Sequence, residues 1–273
     1  MARFVIVPQW QGSPSARAMQ LIDGAQAIAG DLPRSACTVI DVPLEAGEAL
    51  ETGVLRYSAL SRTRDAIALQ TAGDTEPAIV VGGDCGVSIG AIGIAADRAE
   101  SLAVVWFDAH PDLHLPSTSL SGAFGGMALS AVLGDGTTGL ALEPGAVTPD
   151  RVVLAGARDY ETDEESRVAE LGIRAIDVAD LVDPAALAAA VAATGATEVY
   201  VHVDLDVLDP SVLASVTAPV PFGLTLAQLT AAIAAVRDVL PLAGATIAGF
   251  APGSPDAAAG DLGTILRVVG ALA

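Results

Sequence analysis

The sequence predicts an α/β fold in which a mostly parallel sheet of about eight strands is covered by helices on both faces. Short apolar runs rich in Val and Ile alternate along the chain with longer segments that suit helices. Neither an internal repeat nor a low-complexity linker interrupts the 273 residues. Because that length is enough for one large domain with a buried core, we expect a single domain over residues 1–273.

Each predicted strand is a short apolar run of the kind found in a buried parallel sheet. The runs lie near residues 3–7, 37–41, 77–82, 102–107, 151–155, 173–177, 197–203 and 246–250. Helices are expected to fill the intervening segments, near residues 14–30, 54–73, 87–98, 121–134, 162–170, 184–194, 225–240 and 256–272. The Gly-rich loop at residues 134–139 is expected to join a helix to the next strand rather than to separate domains.

Composition excludes several classes of partner. A formal net charge of −20 makes nucleic acid and anionic membrane surfaces poor partners. The alanine-rich stretch at 184–196 is too short and too weakly apolar to span a membrane. The first apolar run ends at Pro8, which is too early for a secretory signal, so we expect a cytoplasmic protein. The two cysteines, Cys37 and Cys85, do not make a disulfide framework.

Three clusters of acidic and other ligand-type side chains follow apolar runs, in the segments 84–85, 108–112 and 204–209. The carboxyl ends of parallel strands meet at one edge of a sheet, so we expect these clusters to converge there. A single D-x-D motif is most often a solvated loop. The occurrence of D-x-H-x-D and D-x-D-x-x-D together, each after an apolar run, favours a functional site.

Spacing gives the site its geometry, because alternate residues of an extended segment point to the same side. The charged sets that share a side in this way are Asp108, His110 and Asp112, and then Asp204 and Asp206. Carboxylates with one or two nitrogen or sulfur donors suit a divalent transition metal such as Mn²⁺. Two such ions could share bridging carboxylates.

The three segments resemble, in order and spacing, the arginase (ureohydrolase) superfamily signatures G-G-D-H-S, D-A-H-x-D and S-x-D-x-D-x-x-D-P. The resemblance extends from about residue 80 to 255. It implies a three-layer α/β/α fold, a centre of two Mn²⁺ ions and hydrolysis of a guanidino carbon. It also implies a small guanidino amino acid as substrate and a homo-oligomer, either a trimer or a hexamer.

Carried over by position, the resemblance assigns two sets of metal ligands. The first ion would be held by Cys85, Asp108, Asp112 and Asp204, and the second by Asp108, His110, Asp204 and Asp206. A water bridging two such ions is a hydroxide near neutral pH and can attack the guanidino carbon. Asp112 or Asp206 would act as the catalytic carboxylate that relays a proton to the departing amine. Asp84 is either a supporting partner of the ligands or a turn residue, and Asp209 is expected to shape the turn beyond them.

The sequence departs from the family pattern at three positions. The first-cluster histidine is Cys85 here, which is either a thiolate ligand or a small core residue beside a one-metal site. Alignment of residues 121–126 puts Gly125 where a proton-shuttling histidine is usual. Alignment of residues 247–252 puts Gly249 where a glutamate usually grips the guanidinium. The pattern therefore predicts the loss of a carboxylate and extra room beside the metals.

A guanidine that bears an N-hydroxyl group is less basic and bulkier, so it would not need the missing glutamate. We therefore expect hydrolysis of N-omega-hydroxy-L-arginine to hydroxyurea and L-ornithine, as in the branch of the superfamily that serves D-cycloserine biosynthesis. Two alternatives stay open. One is an ordinary ureohydrolase acting on arginine, agmatine or guanidinobutyrate, and the other is a metal-binding pseudoenzyme with a regulatory role.

The resemblance also supplies residues for the amino-acid end of the substrate. Ser121 and His114 occupy positions that bind the α-carboxylate, and Glu161 falls where an acid binds the α-amino group. The alternative for His114 is a solvent-facing loop residue. Asp159 resembles a structural acid. His202 shares the face of the Asp204 cluster but lies deeper in its strand, which favours a supporting or core role over a ligand role.

Overall fold

The computed structural model describes residues 2–73 and 76–273. Within this part of the chain, eight strands form one sheet, in the order β2-β1-β3-β8-β7-β4-β5-β6, and all paired neighbours are parallel. Helices cover both faces, so the molecule is a three-layer α/β/α structure, as the sequence predicts.

The strands have three to seven residues, and helices lie between them in the chain, as the crossover connections of a parallel sheet require. They are β1 (Arg3–Ile6), β2 (Cys37–Val39), β3 (Ala78–Val81), β4 (Leu102–Phe107), β5 (Val152–Ala155), β6 (Arg174–Ile176), β7 (Glu198–Asp204) and β8 (Leu242–Ala248). The α-helices are α1 (Gln20–Gly30), α2 (Tyr57–Ala72), α3 (Ser88–Arg98), α4 (Ala128–Val132), α5 (Thr162–Leu171), α6 (Pro184–Ala192), α7 (Leu226–Val239) and α8 (Pro255–Leu272).

Strand β4 shows why the sheet sits in the middle of the molecule. Its six residues are all buried, and they alternate between the cores on the two faces of the sheet. Val104 and Trp106 pack on one side, whereas Val105 and Phe107 pack on the other. Burying a side chain of this size stabilises the fold by about 1.5–3 kcal/mol. The sheet is therefore rigid where its carboxyl ends must position polar groups.

Three predicted elements differ from the structure by four or more residues at one end, and the first is the helix predicted at 14–30, which begins only at Gln20 in α1. The helix predicted at 121–134 is confined to the one short helix α4, with a 3₁₀ turn at Gly125–Met127 before it. The backbone N–H groups of Leu129 and Ser130 donate to the carbonyl of Asp112, which ties this turn to a distant loop. Strand β8 begins at Leu242, four residues before the predicted start at 246. The prediction missed its first half because that half contains Gly and Ala rather than β-branched residues.

Among the described residues, the structure contains no helix that is both long and apolar enough to cross a membrane.

Candidate metal centre and active site

The three clusters predicted from the sequence do converge at the carboxyl edge of the sheet. Cys85 follows β3, Asp108 follows β4, and Asp204 is the last residue of β7. Strand β8 lies between β3 and β7, so its end at Ala248 also borders this place. Gly82 and Gly83 adopt positive φ angles, which allow the chain to turn sharply from β3 toward Cys85.

Six predicted ligands face one cavity of about 320 Å³, namely Cys85, Asp108, His110, Asp112, Asp204 and Asp206. The Cys85 Sγ atom lies 3.1 Å from Oδ2 of Asp204 and 3.5 Å from Oδ2 of Asp108. The His110 Nδ1 atom lies 3.4 Å from Oδ1 of Asp108 and 3.1 Å from Oδ2 of Asp206. The Asp108 carboxylate therefore lies between the Cys85 thiol and the His110 imidazole, with one oxygen near each.

Two sets of donor atoms are close enough to hold an ion, since each set lies within 4.8 Å. One consists of Cys85, Asp108 and His202, and the other of Asp108, His110 and Asp206. Asp108 is common to both, as expected for a carboxylate shared by two ions. Asp112 and Asp204 line the same cavity without belonging to either compact set.

Backbone amides fix the orientation of the carboxylates. The amide of His110 donates to Oδ1 of Asp108 at 2.8 Å. The amide of Asp206 donates to Oδ1 of Asp204 at 2.9 Å, and that of Ala109 donates to Oδ1 of Asp206 at 3.0 Å. In Asp204 and Asp206, one oxygen is held by the backbone and the other faces the remaining donors, whereas Oδ1 of Asp108 meets both the amide and the ring of His110. Such support positions ligands before any ion binds.

Asp84 and Asp209 have structural partners instead. The two oxygens of Asp84 accept from the amides of Gly12 and Gly86, at 2.9 and 3.0 Å. A Cβ on Gly12 would lie 2.3 Å from the Asp84 carboxylate, so this contact requires glycine. Asp209 accepts from Ser211 and from the amide of Phe222, which holds the turn after β7.

The protonation of the metal-free cluster is set mainly by burial. Burial and the charge of Asp206 raise the pKa of Asp204 to about 7, and burial and the charge of Asp108 raise that of Asp206 to about 6. Burial, followed by the charge of Asp112, raises the pKa of the Cys85 thiol well above its usual value. Burial would lower the pKa of His110, but hydrogen bonds to Asp108 and Asp206 raise it to about 12. The cluster holds protons that cations would replace.

Two buried atoms show that the donor set fits divalent cations. Oδ2 of Asp112 and Nε2 of His202 have no hydrogen-bond partner within the described part of the chain. Leaving such atoms unsatisfied costs about 1–3 kcal/mol each, and metal ligation removes this cost. Asp112 also has a φ of +52°, an unusual value for a residue other than glycine. Backbone strain of this kind is concentrated at functional sites.

The three predicted substrate-binding residues line the same cavity: His114, Ser121 and Glu161. His114 is almost completely buried, so it is not the solvent-facing loop residue that the sequence left open. Its Nε2 atom lies 3.4 Å from Oε2 of Glu161 and 3.7 Å from Oε2 of Glu164. Ser121 is exposed at the rim, where its hydroxyl oxygen accepts from the amide of Ala123.

The sequence interpretation missed Glu164, a buried acid in the wall of the cavity. Its carboxylate accepts from the amides of Leu113 and Glu161, at 3.0 and 3.2 Å. Burial raises the pKa of Glu164. The capping-box spacing of Glu161 and Glu164 could have located it at the start of α5, but not its contact with Leu113. The lining also includes Asp159, whose Oδ2 lies 3.7 Å from Nε2 of His110.

The two glycines that depart from the family pattern have different surroundings. Gly125 and Gly126 line the cavity, so backbone rather than a side chain forms that wall. Gly249 is not part of the lining, and a Cβ there would lie 2.2 Å from Oδ1 of Asp204. The expectation of extra room beside the metals is therefore wrong at Gly249, because the Asp204 carboxylate occupies that space.

Comparison with known proteins relates this site to one family. A family model described as the Arginase family matches residues 17–259. The chain is 36% identical over 156 residues to an arginase of Bacillus caldovelox, which covers 54% of this chain and 52% of the relative. It is 31% identical over 159 residues to the N(omega)-hydroxy-L-arginine amidinohydrolase of Streptomyces lavendulae, covering 58% and 55%. The matches thus span about half the length of these curated relatives.

Solved structures share the whole fold. The arginase of Entamoeba histolytica in complex with L-ornithine superposes with a TM-score of 0.87 at 20% identity, over 99% of this chain and 97% of that one. The arginase of Bacillus caldovelox gives 0.82 at 23% identity, over 98% of each chain. The proclavaminate amidino hydrolase of Streptomyces clavuligerus gives 0.76 at 19% identity, over 99% and 92%.

Proposed function

Because the chain belongs to the arginase family, we propose that it is a metal-dependent amidinohydrolase that cleaves N-omega-hydroxy-L-arginine into hydroxyurea and L-ornithine. The observation that carries this proposal is the cavity wall at Gly125 and Gly126, where no side chain stands in the cavity that holds the donor atoms. An N-hydroxyl group on the substrate would lie against this wall. The hydroxyarginine amidinohydrolase among the relatives supports the same substrate. If N-omega-hydroxy-L-arginine is the substrate, the proposal also assigns the enzyme to D-cycloserine biosynthesis.

The proposed centre contains two divalent cations, expected to be Mn²⁺. Cys85, Asp108, Asp112 and Asp204 would hold the first, and Asp108, His110, Asp204 and Asp206 the second. Bound there, the cations would supply an activated water as the nucleophile at the guanidino carbon. The convergence of carboxylate, imidazole and thiol donors supports this assignment. The thiol of Cys85 favours softer ions than Mn²⁺, such as Zn²⁺ or Co²⁺.

Proton transfer is assigned to the carboxylates of the site. The Asp112 carboxylate has two oxygens, so one could bind the first ion while the other accepts a proton from the nucleophile. Asp206, which lines the same cavity, is the alternative carrier. The departing nitrogen of the substrate must receive a proton, and these two acids lie in the same cavity.

The rim of the cavity would hold the amino-acid end of the substrate. Eight acidic residues and no Lys or Arg occur among the described lining residues, so a cationic α-amino group is favoured. Glu161 is the proposed partner of that group. The proposed partners of the α-carboxylate are Ser121 and His114, which supply a hydroxyl and a ring N–H. Agmatine lacks this carboxylate and should bind less well.

The test is a side-by-side assay of N-omega-hydroxy-L-arginine, L-arginine and agmatine with protein loaded with Mn²⁺. Ornithine or putrescine is quantified together with hydroxyurea or urea. A higher kcat/KM for the hydroxylated substrate is the expected result. Preference for arginine, as the arginase relatives would suggest, would contradict the proposed substrate and favour an ordinary ureohydrolase. Activity on none of the three, at full metal content, supports a pseudoenzyme.

A homo-oligomer, either a trimer or a hexamer, is also part of the proposal. It rests on the resemblance to the superfamily. Sedimentation velocity of the metal-loaded protein tests it, since the chain mass is 27.2 kDa. A monomer at micromolar concentration would contradict it.

A further inference from the structure

The chain contains only three histidines, and His202 is the one to which the proposed function assigns neither a metal nor the substrate. It lies on β7, two residues before Asp204, and it is completely buried. Its ring stacks on that of Trp106 in the neighbouring strand β4, with centroids 3.6 Å apart. The stacking holds the imidazole plane in one orientation under the acidic cluster.

The two ring nitrogens of His202 have unlike surroundings. Nδ1 lies 2.7 Å from the hydroxyl oxygen of Ser88, the first residue of α3. Nε2 has no hydrogen-bond partner in the described structure, and its nearest acid oxygen is Oδ2 of Asp108 at 3.9 Å. That separation is too long for a hydrogen bond. It is short enough for the two atoms to share an ion, since each would lie about 2.0–2.2 Å from the metal.

We propose that Nε2 of His202 binds the first metal ion directly, beside Cys85 and Asp108. The inference rests on the proposed metal centre. In this arrangement, the imidazole that the sequence lacks at position 85 is supplied from β7. Atoms of the three residues already lie within 4.8 Å of one another. The first site would then combine imidazole, thiolate and carboxylate donors.

Ser88 gives this assignment a specific tautomer. When Nδ1 carries the proton, it donates to the Ser88 hydroxyl, and Nε2 presents its lone pair to the metal. A second partner that orients a ligating histidine in this way is the usual arrangement in metal sites. The donor set also predicts selectivity, because sulfur and nitrogen ligands favour Zn²⁺ or Co²⁺ over Mn²⁺ at the first site.

The direct test counts the imidazoles that bind Co²⁺. In the fully loaded protein, each ligating histidine gives a strongly shifted, exchangeable ring N–H signal in the proton NMR spectrum. Two such signals are expected, from His110 and His202, and none from His114. The variant His202→Gln should lose one signal and retain the other, while His114→Gln should keep both. A wild-type spectrum with one shifted signal that persists in His202→Gln overturns the proposal.

Ser88→Ala tests the proposal without removing the ring. We expect its affinity for the first Co²⁺ ion to fall by about 10–100-fold, as is typical when the partner of a ligating histidine is lost. Ser130→Ala is the matched control, because that buried hydroxyl has no hydrogen-bond partner in the described structure. The thermal unfolding of the metal-free proteins shows whether both variants fold. Equal Co²⁺ affinity in Ser88→Ala and Ser130→Ala contradicts the assigned tautomer and the proposal with it.

Failure of this inference is distinguishable from failure of the proposed function. If the wild type binds two ions and hydrolyses a guanidino substrate while His202 gives no shifted signal, only the inference fails. If the protein binds two ions with His202 as a ligand but hydrolyses none of the substrates, only the proposed function fails.

Discussion

Gly249 shows how tightly a single residue of this site is constrained. Its φ is +86°, and a Cβ would lie 2.2 Å from the Asp204 carboxylate. We predict that Gly249→Ala loses about 1–2 kcal/mol of stability from the left-handed backbone alone. It should also displace Asp204 and weaken metal binding. Calorimetric unfolding and metal analysis after dialysis measure the two effects.

Gly253→Ala is the control for that substitution. A Cβ at Gly253 meets no atom within 4 Å, so stability and metal content should stay at the wild-type level. Full metal retention in Gly249→Ala would show that Asp204 can move without consequence, which contradicts the prediction. The same geometry predicts that Gly249→Glu does not create a guanidinium-binding carboxylate in the cavity.

At the residue scale, Cys85 is the proposed ligand that we expect to determine which metal ion is preferred. Its Sγ atom is within 3.5 Å of two carboxylate oxygens, so a bound ion would meet sulfur and oxygen together. We predict that Cys85→Ser, which removes the soft donor at nearly constant volume, shifts the preference from Zn²⁺ toward Mn²⁺. Competition between the two ions, followed by metal analysis, measures this ratio.

Cys37→Ser serves as the control for Cys85→Ser, since Cys37 is the other free thiol and lies on the edge strand β2. Its metal preference should match that of the wild type. An unchanged Zn²⁺ to Mn²⁺ ratio in Cys85→Ser would remove Cys85 from the ligand set.

At the scale of elements, the start of α5 connects Glu161, at the rim of the cavity, to the loop that carries the proposed ligand Asp112. Glu164 accepts from the amide of Leu113, which follows the proposed ligand Asp112, and from the amide of Glu161. We predict that Glu164→Ala destabilises the protein by about 1–3 kcal/mol, because buried amides lose their acceptor. It should also raise KM for amino-acid substrates, since His114 loses one of its acidic neighbours.

Glu165→Ala is the matched control, as Glu165 is an exposed acid in the same first turn of α5. Both variants remove one negative charge near the helix N-terminus, so the helix dipole contributes equally. Denaturant unfolding and steady-state kinetics separate the two cases. Equal stability and KM in both variants would exclude the linking role of Glu164.

The regular elements were predictable because local patterns determine them. Strands such as β4 are uninterrupted runs of buried apolar residues. The clusters of acidic and other ligand-type residues that follow such strands indicate a site. The segment at 121–134 was not predictable, since its conformation depends on bonds from Leu129 to the carbonyl of Asp112. The environment of His202 depends on Ser88, which is 114 residues away in sequence. No local pattern contains such contacts.

For the whole molecule, the buried carboxylates predict an unusual dependence of stability on pH. Burial raises the pKa of Asp204 from 3.8 to about 7. A carboxyl whose folded pKa is raised stabilises the fold below its unfolded pKa, and this contribution is lost as pH rises through the folded value. His110, raised from 6.5 to about 12, acts in the same direction above about pH 6.5. We therefore predict that the Tm of the metal-free protein falls between about pH 6 and pH 8.

His202 and bound cations also affect how stability depends on pH. His202 opposes the fall up to about pH 7, because burial lowers its pKa to about 3 while the imidazole of the unfolded chain still binds protons near pH 6.5. Bound cations should abolish the fall, since they take the place of the protons. Scanning calorimetry at pH 6 and pH 8, with and without Zn²⁺, measures the difference. A Tm of the metal-free protein that rises over this range would contradict the prediction.

The way in which the donors are distributed along the chain has a consequence for biosynthesis. The proposed first site joins Cys85 to Asp204, which are 119 residues apart, and the proposed second site needs Asp206. At about 5–20 residues per second, a ribosome needs several seconds to add the residues between them. An early chain segment therefore presents a thiol and a few carboxylates, but no complete site. Metal incorporation has to follow the pairing of β7 with β4, so protein made in metal-poor cells should fold first and accept its ions afterwards.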